Sequence, residues 1–276
     1  MFNYEKPVML FFNLGVIAGL GSIGYGILKN SSPAELTPNI TAAFLMSICG
    51  NCTRILANSE AFGSEKISIS MAVVSYSLAL TCDWEEHPVL AVYLKLITTG
   101  CVGLWNALQM IRLTYENTAA KAALACYSLG AALGFSALII GLSVDVPPKL
   151  LAPFITLTFI MSHIGNLVRS EFNHQAQMLE RRYILAAVLS YCIALYYDFS
   201  SKNGTTNVAA YTKLTAAGFI GLWNTAQTWR LNPATYDVQR SICTHIHAFF
   251  MANHRIAPVN ITEDEQQELR TIHTLG

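Results

Sequence analysis

Long runs of apolar residues alternate with short polar segments along most of the chain. Eight such runs approach the roughly 20 residues that an α-helix needs to cross a bilayer, although two of them are shorter. The pattern therefore predicts an all-α, polytopic integral membrane protein with about eight transmembrane helices. The predicted spans lie near 8–28, 40–57, 67–82, 89–111, 123–143, 150–169, 183–198 and 207–229.

The composition of the chain also indicates a lipid environment. Of its 276 residues, 53% are hydrophobic and 12% are charged, whereas a soluble domain carries roughly 25% charged residues. The net charge is zero, so the charge does not indicate a nucleic-acid partner. The first span is long and has no basic segment before it, which favours a retained helix over a cleaved signal peptide. The predicted partner is the lipid bilayer.

Lysine and arginine are unequally distributed between the connecting segments. When these segments are assigned alternately to two sides, three basic residues (Lys29, Lys149 and Lys202) fall on one side and twelve on the other. Because cytoplasmic segments carry the excess of basic residues, both termini are predicted to be cytoplasmic. An even number of crossings agrees with this orientation. The twelve are Lys6, Arg54, Lys66, Arg112, Lys121, Arg169, Arg181, Arg182, Arg230, Arg240, Arg255 and Arg270.

The second half of the chain resembles the first. GLWNALQMIRL at 103–113 returns as GLWNTAQTWRL at 221–231, and FLMSICGNCTR at 44–54 returns as FIMSHIGNLVR at 159–169. We interpret this as a tandem duplication of a four-helix unit, with halves 1–117 and 118–231. Because four is even, both halves enter the membrane in the same orientation, as in carriers built from parallel repeats. The remaining segment, 232–276, is predicted to be a cytoplasmic tail with short helices.

The two halves share polar residues inside their helices. Polar groups in hydrocarbon are costly unless they are paired or line a wet cavity. They therefore predict a site for a small polar solute between the halves, although tryptophans that anchor at the interface and amides that join helices would explain the same pattern. The candidate lining residues are Asn51, Asn166, Tyr76, Tyr191, Trp105, Trp223, Asn106, Asn224, Gln109 and Gln227.

Four charged residues are candidates for ion pairs or a gate. Lys95 and Lys213 lie within predicted helices, and Asp83 and Asp198 end the preceding helices on the same side of the membrane. The spacing predicts the pairs Lys95–Asp83 and Lys213–Asp198, although a lysine at this depth can also extend its amine to the surface. Arg54, Arg169, Arg112 and Arg230 close helices on the basic side and are interpreted as topology anchors.

Other motifs are weaker. Cys49 and Cys52 form a C-x-x-C, which is typical of thiol redox chemistry, but Ile164 and Leu167 occupy these positions in the second half. The tail carries His245, His247 and His254 beside aromatic residues, a pattern that favours a membrane-surface helix over a metal site.

Three functions follow from these patterns. The first is a carrier for a small polar solute, and the second is a membrane scaffold or assembly factor that binds a protein partner through its tail. The third is an intramembrane redox protein that uses Cys49 and Cys52. The sequence has no nucleotide-binding loop, hydrolase elbow or zinc-protease motif, which favours a protein that is not an enzyme. No cofactor and no metal site are predicted.

Overall fold

The computed structural model describes residues 4–113, 118–173, 175–200 and 206–231, and within these ranges the chain is all-α, without strands. This confirms the predicted fold class. The predicted tail, 232–276, lies outside the described residues, as do its histidines. The helices are α1 (Glu5–Lys29), α2 (Pro33–Ala57), α3 (Gly63–Trp84), α4 (Pro88–Arg112), α5 (Thr118–Val144), α6 (Pro148–Glu171), α7 (Met178–Ser200) and α8 (Asn207–Leu231).

Seven of the described helices, α1 to α7, are long and apolar enough to cross a membrane, so the protein is a multi-pass membrane protein. Helix α8 has the same length as α4, 25 residues, but it is less apolar. Its buried positions include Asn224, Thr225, Gln227 and Thr228, which lowers its hydropathy without exposing those groups to lipid. The eighth crossing stays a prediction.

Several helices begin earlier than the apolar runs because capping residues start them. Helix α2 begins at Pro33 rather than near residue 40. The Ser32 hydroxyl accepts a hydrogen bond from the Glu35 backbone N–H, and the Glu35 carboxylate accepts one from the Ser32 N–H. Proline is favoured in the first turn, where its missing N–H has no partner to lose. Hydropathy does not detect such polar starts.

The even-numbered helices form the interior of the bundle. In their most apolar windows α2, α4 and α6 are 56% buried, against 28% for α1, 39% for α3 and 33% for α5 and α7. Helix α2 packs against α8, and α4 packs against α6. Helix α1 contacts α2 and α8, and α5 contacts α6 and α4; α3 contacts α2 and α4, and α7 contacts α6 and α8. Each of these contacts thus has a counterpart between the helices at equivalent positions: α1 with α2 corresponds to α5 with α6, and α2 with α8 corresponds to α6 with α4.

Glycines bring outer and inner helices into close contact. A Cβ atom on Gly19 of α1 would lie 2.8 Å from the backbone nitrogen of Gly218 in α8. A Cβ on Gly134 of α5 would lie 2.9 Å from the backbone nitrogen of Gly100 in α4. Small residues allow helix backbones to approach in this way when the solvent is lipid. The glycines therefore set the spacing of α1 against α8 and of α5 against α4.

The variant Gly103→Ala is expected to lower the thermal stability of the protein. The added methyl carbon would lie 2.6 Å from the Ala131 nitrogen, so α4 and α5 would have to move apart, and overpacking of this kind costs about 1–3 kcal/mol. Gly21→Ala is the matched control because no atom lies within 4 Å of its new methyl group. Thermal unfolding of the purified variants measures both effects, and equal melting temperatures would contradict the packing described here.

Candidate functional site

Polar residues of the inner helices surround a cavity of about 50 Å³, which we call the amide cavity. It contains eight of the ten predicted lining residues; the two tyrosines lie elsewhere. The eight are Asn51, Asn166, Trp105, Trp223, Asn106, Asn224, Gln109 and Gln227. The other lining residues are Arg54, Arg169, Ser47, Ser162, His163, Phe44, Phe159, Ile48, Ile69, Val102 and Ile220.

Helical periodicity and two glycines direct these side chains inward. On α2, Ser47, Asn51 and Arg54 follow i, i+4, i+7 spacing and therefore share one face. The residue before this asparagine, Gly50, packs against the ring of Phe12 on α1, and a Cβ there would lie 2.4 Å from the ring. Contact of the aromatic ring with the glycine holds that side of α2 against α1, so the polar side faces the centre of the bundle.

The second half has the same local arrangement. Ser162, Asn166 and Arg169 follow the same spacing on α6 and line the same cavity. Gly165 packs against the ring of Tyr127 on α5, and a Cβ there would lie 2.5 Å from that ring. Both predicted halves therefore contribute a similar polar helix face to one cavity.

Hydrogen bonds between arginine and glutamine connect the two predicted halves. Arg54 Nη1 donates to Gln227 Oε1 at 2.9 Å, and Arg169 Nη1 donates to Gln109 Oε1 at 2.8 Å. Because a guanidinium only donates, each glutamine must present its oxygen to the arginine. These bonds connect α2 with α8 and α6 with α4. Arg54 and Arg169, two of the four arginines interpreted as topology anchors, thus also line the cavity.

Asn51 and Asn166, the asparagines of the G-N-x-x-R motif that occurs at 50–54 and at 165–169, have different partners. Asn166 Oδ1 accepts a hydrogen bond of 2.7 Å from the Tyr127 hydroxyl. The residue equivalent to Tyr127 in the first half is Phe12, which has no hydroxyl. Asn51 Oδ1 instead accepts from Arg54 Nη2 at 2.9 Å, and Asn51 Nδ2 donates to Asn224 Oδ1 at 3.4 Å. The cavity is therefore only approximately symmetric.

Several buried polar atoms at the amide cavity have no hydrogen-bond partner among the described residues. These are the indole Nε1 atoms of Trp105 and Trp223, the hydroxyls of Ser47 and Ser162, and both ring nitrogens of His163. The two indoles are 5% and 6% exposed. A tryptophan that anchors at the membrane interface keeps its N–H near water. These two tryptophans lie inside the bundle instead.

A second cavity, of about 170 Å³, lies towards the other ends of the inner helices, and we call it the lysine cavity. Both predicted ion pairs are present beside it: Lys95 Nζ lies 2.7 Å from Asp83 Oδ1, and Lys213 Nζ lies 2.7 Å from Asp198 Oδ2. Each aspartate also accepts a hydrogen bond from a threonine. The threonines are Thr41, which bonds Asp83, and Thr156, which bonds Asp198 at 2.8 Å.

Four aromatic residues lie where the two cavities meet, and we call them the aromatic barrier: Phe44, Phe159, Tyr76 and Tyr191. Phe44 and Phe159 line both cavities, and their ring centroids are 5.1 Å apart in a stacked arrangement. Tyr191 stacks on both phenylalanines, and Tyr76 meets Phe159 edge to face. The two predicted tyrosines therefore line the lysine cavity and not the amide cavity.

Sequence reasoning missed two buried ion pairs. Arg112 Nε lies 2.7 Å from Glu65 Oε1, and Arg230 Nε lies 2.8 Å from Glu180 Oε1. The two carboxylates are 0% and 1% exposed. These arginines were interpreted only as topology anchors. The signal was present, because Glu65 and Glu180 are separated by the same 115 residues as the G-N-x-x-R motifs.

The cysteine motif lies apart from both cavities. Neither Cys49 nor Cys52 lines the amide cavity or the lysine cavity. The Cys52 sulfur lies 3.9 Å from the Ser70 hydroxyl. In the described part of the chain, no group of three or more histidine, cysteine or acidic residues could hold a metal ion.

Comparison with known proteins connects the chain to no family. It matches no family model, no curated protein and no solved structure. Function is therefore inferred from the geometry of the two cavities and of the barrier between them.

Proposed function

We propose that the protein is a membrane carrier that binds a small polar solute in the amide cavity, between two duplicated halves, 1–117 and 118–231. One observation carries this proposal. Two cavities lined by equivalent residues of both halves lie on either side of the stacked Phe44–Phe159 pair. A rigid helix contact would require neither cavity. In carriers with parallel repeats the solute site lies between the halves, near the middle of the membrane.

The placement of the strong polar contacts fits movement of one half against the other. Each of the four ion pairs described above joins α3 to α4 or α7 to α8, and so lies within one half. The polar contacts that cross between halves include no ion pair: they include the arginine–glutamine bonds and the Asn51–Asn224 bond. The stacked phenylalanines and the close packing of α1 on α8 and of α5 on α4 also cross between halves. Rocking of the halves would break and reform the polar contacts and would require α1 to hinge against α8 and α5 against α4, while the ion pairs join helices within each half.

Two sides of the protein follow from this arrangement. We call the helix ends that carry Arg54, Arg112, Arg169 and Arg230 the arginine side, and the opposite ends the lysine side. With both termini in the cytoplasm, the arginine side is the cytoplasmic side. In the described conformation the aromatic barrier separates the amide cavity from the lysine side. Separation of the two phenylalanines would open the amide cavity to that side.

Alternating access predicts that a cysteine in the amide cavity reacts with a water-soluble thiol reagent from either side of the membrane. In a cysteine-free background, Ser162→Cys places a thiol at a position that is 1% exposed. An open state populated at roughly 0.1–10% would give a reaction rate reduced to about that fraction of the rate of an exposed thiol. Labelling sealed vesicles of each orientation with a membrane-impermeant methanethiosulfonate measures both rates.

The chain offers matched controls for this experiment. Glu60→Cys and Glu86→Cys lie in exposed loops on the arginine and lysine sides and report the orientation of the vesicles. Ser77→Cys lies on the exposed face of α3 and should stay unlabelled in lipid. If Ser162→Cys reacted from neither side, the carrier proposal would fail. A scaffold that works through residues 232–276 would then be the better explanation, and truncation of that segment would abolish its function.

A further inference from the structure

The amide cavity contains positive charge without a negative counterpart. Among the described residues that line it, none is aspartate or glutamate, whereas Arg54 and Arg169 both line it. Neither arginine forms an ion pair with a carboxylate in the part of the chain that the structure describes. By contrast, Lys95, Lys213 and Arg230 are each paired with a buried acid. A charge that is partly buried among helices favours a partner of opposite charge, and among the described residues Arg54 and Arg169 meet amide oxygens and no carboxylate.

The hydrogen-bonding groups around the cavity also favour a negatively charged ligand, because most of the amide oxygens are occupied while several arginine N–H donors remain. Three amide oxygens already accept bonds from arginine: those of Asn51, Gln109 and Gln227. The oxygens of Asn166 and Asn224 accept bonds from Tyr127 and Asn51. These amide oxygens are therefore used within the protein, and His163, whose ring nitrogens have no partner among the described residues, presents one acceptor and one donor when neutral. Each guanidinium carries five N–H donors, and the bonds above use two at Arg54 and one at Arg169.

Buried donors without partners lie at the same place. The indole N–H groups of Trp105 and Trp223 can only donate, and neither has a partner among the described residues. The hydroxyls of Ser47 and Ser162 are also without partners there, at 3% and 1% exposure of the residue. A ligand that satisfies all of these groups must accept hydrogen bonds and carry negative charge.

The size of the cavity restricts the ligand further. Its volume of about 50 Å³ exceeds the roughly 10–15 Å³ that a cavity needs to hold one water molecule. It therefore has room for a group of a few heavy atoms. A planar oxyanion of that size matches the fork of N–H groups that a guanidinium presents.

We propose that the amide cavity binds a small oxyanion, either a carboxylate or an inorganic oxyanion such as bicarbonate or nitrate, between Arg54 and Arg169. This inference rests on the proposed function, because it specifies the solute of the same site. The guanidinium groups neutralise the anion, one from each half. The indole and serine donors complete its hydrogen bonding.

Ligand-dependent thermal stabilisation of the purified full-length protein tests this inference. A ligand that binds only the folded state raises the melting temperature with its concentration. The ligands are acetate, bicarbonate, nitrate and phosphate, with acetamide as the neutral analogue of acetate. Potassium gluconate, whose anion is too large for the cavity, keeps the ionic strength constant. We expect at least one of the four anions to stabilise the protein and acetamide to have no effect. The responding anion distinguishes a carboxylate site from an inorganic one.

The variants Arg54→Gln and Arg169→Gln should each weaken the apparent affinity for that anion by at least about tenfold, because each removes a charged contact to the anion. Arg182→Gln, an exposed arginine outside the cavity, is the matched control. Trp223→Phe removes the N–H while keeping a smaller aromatic ring, so it weakens binding even if the arginine variants fold poorly.

The possible outcomes distinguish failure of the oxyanion inference from failure of the proposed carrier function. If none of the four anions stabilised the protein, or if stabilisation persisted in both arginine variants, the oxyanion inference would be overturned. If acetamide stabilised the protein as well as acetate and Asn106→Leu abolished the effect, the carrier proposal would survive with a neutral solute. If Ser162→Cys were also unreactive from both sides, the proposed function would fail together with the inference.

Discussion

Replacing Glu180 with glutamine is expected to destabilise the protein by about 3–5 kcal/mol, the cost of breaking a buried ion pair by removing one partner. The Glu180 carboxylate is 1% exposed and lies 2.8 Å from Arg230 Nε. Glutamine keeps the size of the side chain and can still accept a hydrogen bond. The loss therefore comes from a guanidinium left without its counter-charge in the bundle. Thermal or denaturant unfolding of the purified variant measures it.

Two further variants separate charge pairing from simple disruption. Glu171→Gln breaks the Glu171–Arg181 pair, whose atoms are 3.7 Å apart and whose side chains are 48% and 33% exposed, so it should cost less than about 1 kcal/mol. The double variant Glu180→Leu with Arg230→Leu removes both charges and should recover much of the stability lost in the single variant. If the double variant were less stable than Glu180→Gln, packing around these side chains would matter more than their charge.

Removing one ring of the aromatic barrier should connect the two cavities. Phe44→Ala deletes a side chain that lines both of them. In the cysteine-free Ser162→Cys background, the reaction rate from the lysine side should then rise by about tenfold or more, since the closed state would no longer limit access to an open population of roughly 10% or less. The rate from the arginine side should change much less, because the barrier does not separate the amide cavity from that side.

A matched variant controls for the loss of a buried ring. Phe154 lies on α6 and meets Phe199 edge to face, but it lines neither cavity. Phe→Ala changes in a core cost about 3–5 kcal/mol, so both variants should lower the melting temperature, Phe154→Ala less because it is only partly buried. Only Phe44→Ala should raise the labelling rate from the lysine side. Equal rates in the two variants would show that general loosening, and not the barrier, controls access.

Helical periodicity accounts for the residues of the site that the sequence predicted correctly. The spacing of Ser47, Asn51 and Arg54 places them on one face of any α-helix, and the structure has all three beside one cavity. The Lys95–Asp83 pair was predictable for a similar reason, because a short turn brings the ends of consecutive helices together. The duplication and the eighth crossing remain predictions, although the helix contacts occur in matching pairs.

The remaining part depends on contacts between distant helices. Whether Trp105 meets lipid, water or other helices is not encoded in the period of its own helix. Tyr76 lies in the same predicted half as Asn106, yet it lines the lysine cavity. The residue that α3 contributes to the amide cavity is Ile69, two turns away on the same helix. Arg112 and Arg230 looked like anchors because they end helices, but their acids come from α3 and α7, at separations of 47 and 50 residues.

The sequence by itself determined that this is a helical membrane protein, which apolar runs form the centres of its helices and which polar residues share a helix face. Apolar run length and the 3.6-residue period are local properties, and they suffice for those conclusions. Only the tertiary structure decided that the polar faces enclose two cavities, that Phe44 and Phe159 separate them, and that Arg54 and Arg169 meet amides instead of acids. The physical reason is that helix partners and rotations are set by close packing at positions such as Gly50 and Gly165, whose aromatic partners lie 38 residues away along the chain.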